Sequence, residues 1–175
     1  MMKGLRHPSL VTRIAMMIGI AGAAAVVFGT QASVASSDAL TVRDRAGDTK
    51  ASDLDILSAS VSVGARDVNV RFTLASAVRG DAIYSATFDC SRGLWQLAAK
   101  RAAGTTTFFL YGLTTYRQTE ARGTMSGRTV TVSGSSSKMG CNKGRVKLSL
   151  TAEGTNGRPT LTDKVPNSGE VAYRR

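Results

Sequence analysis

The sequence predicts an all-β protein, an antiparallel, jelly-roll-like β-sandwich, and three observations predict it. Apolar and polar residues alternate with a period of two through most of the chain after Ala35. Turn-forming residues interrupt these runs at roughly ten-residue intervals, which gives about eight short strands. No stretch of about ten residues or more after Ala35 carries helical periodicity.

The N-terminus is set apart from that pattern. Met1 to Arg13 carries Lys3, Arg6 and Arg13, and the run from Ile14 to Gly29 is continuously apolar or small. Ser33 and Ala35 then fit a small-x-small cleavage site. The reading is a cleavable signal-peptide helix over residues 1–35, cut after Ala35, with Ala32 as the second choice. An apolar run of 16 residues is shorter than the roughly 20 that a spanning helix needs. Residues 36–175 form one domain, secreted and not stably inserted in a membrane.

Within that domain, Ala39 to Val42 is a short β-prone run at a sheet edge. Leu57, Ala59, Val61 and Val63 alternate with serines, and Val68, Val70, Phe72 and Leu74 alternate with Asn69, Arg71 and Thr73, so the two runs form a hairpin around Gly64. Arg79-Gly80-Asp81 reads as a turn. Ile83 to Cys90 places Tyr84, Ala86, Phe88 and Cys90 on one face, and Leu94 to Ala99 returns beside it. Thr105 to Tyr111 is rich in β-branched and aromatic residues. The polar stretch Thr114 to Gly123 reads equally as strand or loop. Arg128 to Ser133 and Val146 to Leu150 alternate again, and Gly154 to Arg175 is mostly loop, closed by a short strand over Glu170 to Tyr173.

Between the first two strands lies D-R-A-G-D-T-K-A-S-D-L-D-I, in which Asp44, Asp48, Asp53 and Asp55 crowd one turn. A hard cation such as calcium takes six to eight oxygens, roughly what clustered carboxylates and turn carbonyls offer. Arg43, Arg45 and Lys50 are the competing source of positive charge, and the spacing is not that of an EF-hand. The D-R-A-G-D and S-D-L-D-I loops, the alternating hairpin and the late T-D-K-V-P-N-S-G resemble small secreted actinobacterial β-sandwich proteins of the DOMON and family-9 carbohydrate-binding type. That resemblance implies a jelly-roll fold and a structural calcium held by Asp44, Asp48, Asp53 and Asp55.

The remaining chemistry is bounded by what is scarce. The only histidine, His7, precedes the cleavage site, so histidine triads and histidine-ligated zinc or haem are not expected. Cys90 and Cys141 both lie in the exported part and are expected to pair. Tyr111 and Tyr116, beside polar threonines, are the candidate ligand-binding rings, whereas Trp95 is assigned to the core. After Ala35 the chain carries 20 basic and 12 acidic residues, a balance of +8. Such an excess favours anionic partners, but no run of four basic residues occurs. The expected activity is therefore non-catalytic: a secreted binding or surface-associated module for glycan or an anionic cell-envelope polymer, with nucleic acid not expected. The alternatives are a hydrolase built on two converging carboxylates and a purely structural or inhibitory protein.

Overall fold

A computed structural model describes residues 39–141, 145–155, 162–165 and 171–174. The signal-peptide segment lies outside the described residues. Two antiparallel sheets pack face to face, so the chain is an all-β sandwich. The smaller sheet has the order β1-β2-β3-β9-β8, formed by Leu40–Arg43, Ile56–Val63, Asp67–Leu74, Thr129–Ser135 and Arg122–Ser126. The larger has the order β11-β10-β4-β5-β6-β7, formed by Thr162–Val165, Arg145–Gly154, Ala82–Cys90, Gly93–Ala102, Thr105–Gly112 and Arg117–Glu120. A twelfth strand, β12 (Val171–Arg174), pairs with the start of β10 along the edge that β11 shares.

The alternation read from the sequence faces the core as a sandwich requires. In β2 and β3, Val61, Val63, Val68, Val70, Phe72 and Leu74 are buried while Ser60, Ser62, Asn69 and Arg71 face outward. The facing sheet supplies Tyr84, Phe88, Leu97, Leu110, Leu148 and Leu150. Phe72 and Tyr84 meet across the layers with ring centroids 6.4 Å apart. Leu57 departs from its expected row: a register shift between Ile56 and Ser58 bulges it out of the ladder and puts Ile56 into the core instead.

Among the described residues there are twelve strands where about eight were expected, and the additional ones lie where alternation is weak. The ambiguous stretch after Thr114 is two strands, β7 and β8, meeting at Ala121, where the chain leaves the larger sheet and joins the smaller. At this crossing Ala121 N–H donates to the Phe108 carbonyl at 3.3 Å. A Cβ at Gly123 would collide with the Thr131 carbonyl oxygen and the Phe108 ring, so the crossing needs glycine there. The serine-rich turn after Gly134 is the end of β9 and one helical turn, α1 (Ser136–Met139), whose N-cap Ser135 hydroxyl accepts from Lys138 N–H. Just beyond it Cys141 forms a disulfide with Cys90 at the end of β4, with Cα atoms 5.0 Å apart.

Candidate functional site

The acidic loop leaves β1 at Arg43 and returns at Ile56, beyond the last residue of β2 that β1 pairs with, so the end of β2 has a free edge there. That edge faces β11 of the other sheet. Ile56 N–H donates to Asp163 Oδ2 at 2.6 Å, a buried bond between residues 107 apart in sequence. Asp163 sits opposite Ala152 of β10, an inward position that is 3% exposed. Asp44 N–H is held by the Leu57 carbonyl at 3.0 Å, which returns the loop to the same place.

Three carboxylates converge there. Oxygens of Asp44, Asp48 and Asp163 lie within 4.8 Å of one another. Asp55 is 2% exposed; its Oδ2 accepts from Gly47 N–H at 2.7 Å, inside the same loop, while Oδ1 is buried with no hydrogen-bond partner. Burial pushes the Asp163 carboxyl up from 3.8 to about 6. The Ile56 N–H opposes that shift, and the negative charges of Asp48, Asp44 and Asp55 add to it. The buried Oδ1 of Asp55, without a donor, costs free energy as well. An ion with metal–oxygen distances of about 2.3–2.6 Å separates its ligand oxygens by at most about 5 Å, so the spacing fits calcium. Zinc prefers nitrogen and sulfur ligands, and no such group is in this set.

Of the four aspartates read from the loop, the structure places Asp44, Asp48 and Asp55 at this seam and sends Asp53 elsewhere. Asp53 Oδ2 accepts from the backbone N–H groups of Arg79 and Gly80, each at 3.3 Å, and its carbonyl takes the Tyr84 hydroxyl at 2.7 Å. The Arg79-Gly80-Asp81 segment, read as a turn, is a bend whose N–H groups Asp53 holds, with Asp81 Oδ1 accepting from Ala103 N–H. Asp163 was not among the residues read as a candidate site, because only the pairing of β11 with β10 brings it near the loop. The signal that marked it was the late T-D-K-V run.

Two concave pockets each hold a pair of acids. Asp53 and Asp81 line one of about 580 Å³, where both are committed to backbone donors. Asp67 and Glu120 line another of about 490 Å³ beside the β7–β8 crossing, together with Arg122 and Lys138. The candidate rings separate. Tyr111 is half-buried on the outer face of the larger sheet, whereas Tyr116 is 80% exposed in the β6–β7 turn at φ 56°, a left-handed conformation unusual for a residue with a side chain. Trp95 packs against the core.

No protein-family model, no curated protein and no solved structure matches the chain. The site is therefore argued from its own geometry. The Cys90–Cys141 disulfide, and a set of described residues in which no helix is long and apolar enough to cross a membrane, are compatible with an extracellular protein.

Proposed function

We propose that the chain is a secreted, non-catalytic binding module whose open seam is closed by calcium, with glycan or envelope polymer as its partner class. The observation that carries the calcium part is the meeting of Asp44, Asp48 and Asp163, with the unpartnered Oδ1 of Asp55 in the same loop, where β11 of one sheet faces the start of β2 of the other. A divalent cation there neutralises the cluster and ties β11 to the acidic loop. The DOMON and family-9 carbohydrate-binding resemblance points the same way, with Asp163 taking the place assigned to Asp53. Calorimetric titration of the secreted protein tests it: calcium binds, binding is lost in Asp48→Ala and Asp163→Asn, and it survives in Asp53→Asn. Equal loss in all three variants, or no calcium heat in the parent protein, sinks the reading.

The pocket shared by Asp67 and Glu120 favours a second reading, a hydrolase with one carboxylate as acid and the other as base or nucleophile. Turnover of any glycoside substrate, abolished by Glu120→Gln, would favour the hydrolase over the binding module.

A further inference from the structure

The outer face of the larger sheet has a floor of its own. Ala98 is fully buried and Ser85 2% exposed, yet neither belongs to the core between the sheets, because Leu97, Ala99, Tyr84 and Ala86 occupy the inward positions beside them. The register sets Ser85 opposite Ala98, and Ala98 opposite Phe109. Thr151 stands on the other side of Ser85. In the next row Thr87, Gln96, Tyr111 and Gln118 are successive cross-strand partners. Gln96 Nε2 donates to Ser85 Oγ at 3.1 Å, and Ser85 Oγ lies 2.8 Å from Thr151 Oγ1, so side-chain hydrogen bonds run across three strands.

Between Lys164 and Glu120, which end the first row on β11 and β7, the residues named in these two rows are uncharged. Charges stand only around them: Glu120 opposite Phe109, Lys164 opposite Thr151, Asp89 and Lys147 in the row beyond Thr87, Lys100 and Glu153 in the row beyond Ser85. The equivalent place on the smaller sheet is different, since Arg71 stands between Ser60 and Thr131 in its central row. In a chain with a formal charge of +11, an uncharged field crossing five strands, about 19 Å at the usual strand spacing, would be matched by an uncharged, hydrogen-bonding ligand. An anionic ligand finds no cation in it. A lipid chain or an apolar protein surface would bury the amides of Gln96 and Gln118 and the Thr87 hydroxyl without partners, which is costly. A neutral sugar chain matches both parts, offering apolar C–H faces to the rings of Phe109 and Tyr111 and hydroxyls to the amides and threonines.

We infer that this field is a binding surface for a neutral polysaccharide, with Tyr111 and Phe109 as the stacking rings and Gln96 and Gln118 as the hydrogen-bonding residues. The inference rests on the reading of the chain as a binding module and names the ligand class and the surface within it.

Co-sedimentation of the full secreted protein with cellulose, chitin and an insoluble β-1,3-glucan, and with beads carrying polygalacturonate, tests it at low and at about 1 M salt. At least one neutral polymer should retain the protein equally at both salt levels. Tyr111→Ala and Gln96→Ala should each weaken that retention roughly tenfold, the loss of about one aromatic or hydrogen-bond contact, while Arg71→Ala on the other sheet leaves it unchanged. Melting curves establish that the variants fold; if Tyr111→Ala does not, Gln118→Ala at the exposed end of the same row replaces it. Retention that is indifferent to these variants overturns the assignment of the surface. Retention by polygalacturonate alone, lost in high salt, overturns the neutral ligand and leaves the binding module standing. A dimer abolished by Gln118→Ala, with no polymer retained, makes the face a contact between copies. No retention on any polymer without a dimer overturns both readings.

Discussion

On one side of the sandwich the chain itself passes between the sheets, at Ala121, where β7 becomes β8; on the other side two sheet edges end, and carboxylates stand between them. The crossing is covalent and tightly packed, with Gly123 leaving room for Phe108 and the Thr131 carbonyl. Such a closure needs no partner, because its backbone groups continue from one ladder into the next. The acidic seam has no continuous chain. A buried hydrogen bond from Ile56 to Asp163 joins it, and the carboxylates of Asp44, Asp48 and Asp163 converge there. If the seam binds calcium as proposed, one side's stability belongs to sterics, whereas the other's should respond to ions and pH.

The largest effect lies at neither seam. Reducing the Cys90–Cys141 bond, which spans 51 residues, should destabilise the fold by about 4 kcal/mol in the chain-entropy model. Because the bond sits at the end of β4 away from the acidic loop, the calcium increment in melting temperature should be the same before and after reduction. An increment that disappears on reduction would mean the two ends are coupled and the seams are not independent.

Calcium comes next. At a hundredfold excess over its dissociation constant, an ion bound only by the folded seam stabilises by about 2.7 kcal/mol, roughly 8 °C for a domain of this size. Chelator should remove that increment from the parent protein and have no effect on Asp48→Ala. A melting curve identical in chelator and in millimolar calcium would leave the acidic loop as an ordinary solvated turn.

The crossing should answer in the opposite way. Gly123→Ala puts a methyl group against the Thr131 carbonyl and the Phe108 ring and should cost about 2 kcal/mol. That loss should be the same in chelator and calcium. If it grows in chelator, the two sides share strain through the sheets.

The two sides also differ in how far they could be read from sequence. The core was legible because Val61, Val68, Val70 and Phe72 must alternate with polar residues to face one layer, and the disulfide because two cysteines leave one pairing. Strand β7 was not, since Arg117, Gln118 and Glu120 are exposed and only Thr119 is half-buried, which leaves no apolar row to mark it. At the seam, Asp53 and Asp55 are two residues apart, yet the turn at Ser52–Leu54 sends one to Arg79 and Gly80 and the other to Gly47. Asp163 joins them through strand pairing alone, a long-range fact that local spacing does not carry.

The smallest effect is a change of slope with pH, and it separates the seams most cleanly. The Asp163 carboxyl titrates near 3.8 in the unfolded chain and near 6 in the fold. The folded state therefore holds its proton more tightly, so the contribution to stability is complete below the unfolded value and is lost as pH rises through about 6. In chelator, the parent protein should lose stability over that window relative to Asp163→Asn, whose amide keeps an oxygen for Ile56 N–H without the buried charge. The increment from calcium runs the other way and grows with pH, because the ion competes with the proton for the same oxygens. Differential melting of parent and Asp163→Asn from pH 4 to pH 7, with and without calcium, measures both signs. Gly123→Ala should shift every curve downward without altering either slope. Parallel pH profiles for the parent and Asp163→Asn in chelator would place the Asp163 charge in solvent and remove it from the seam.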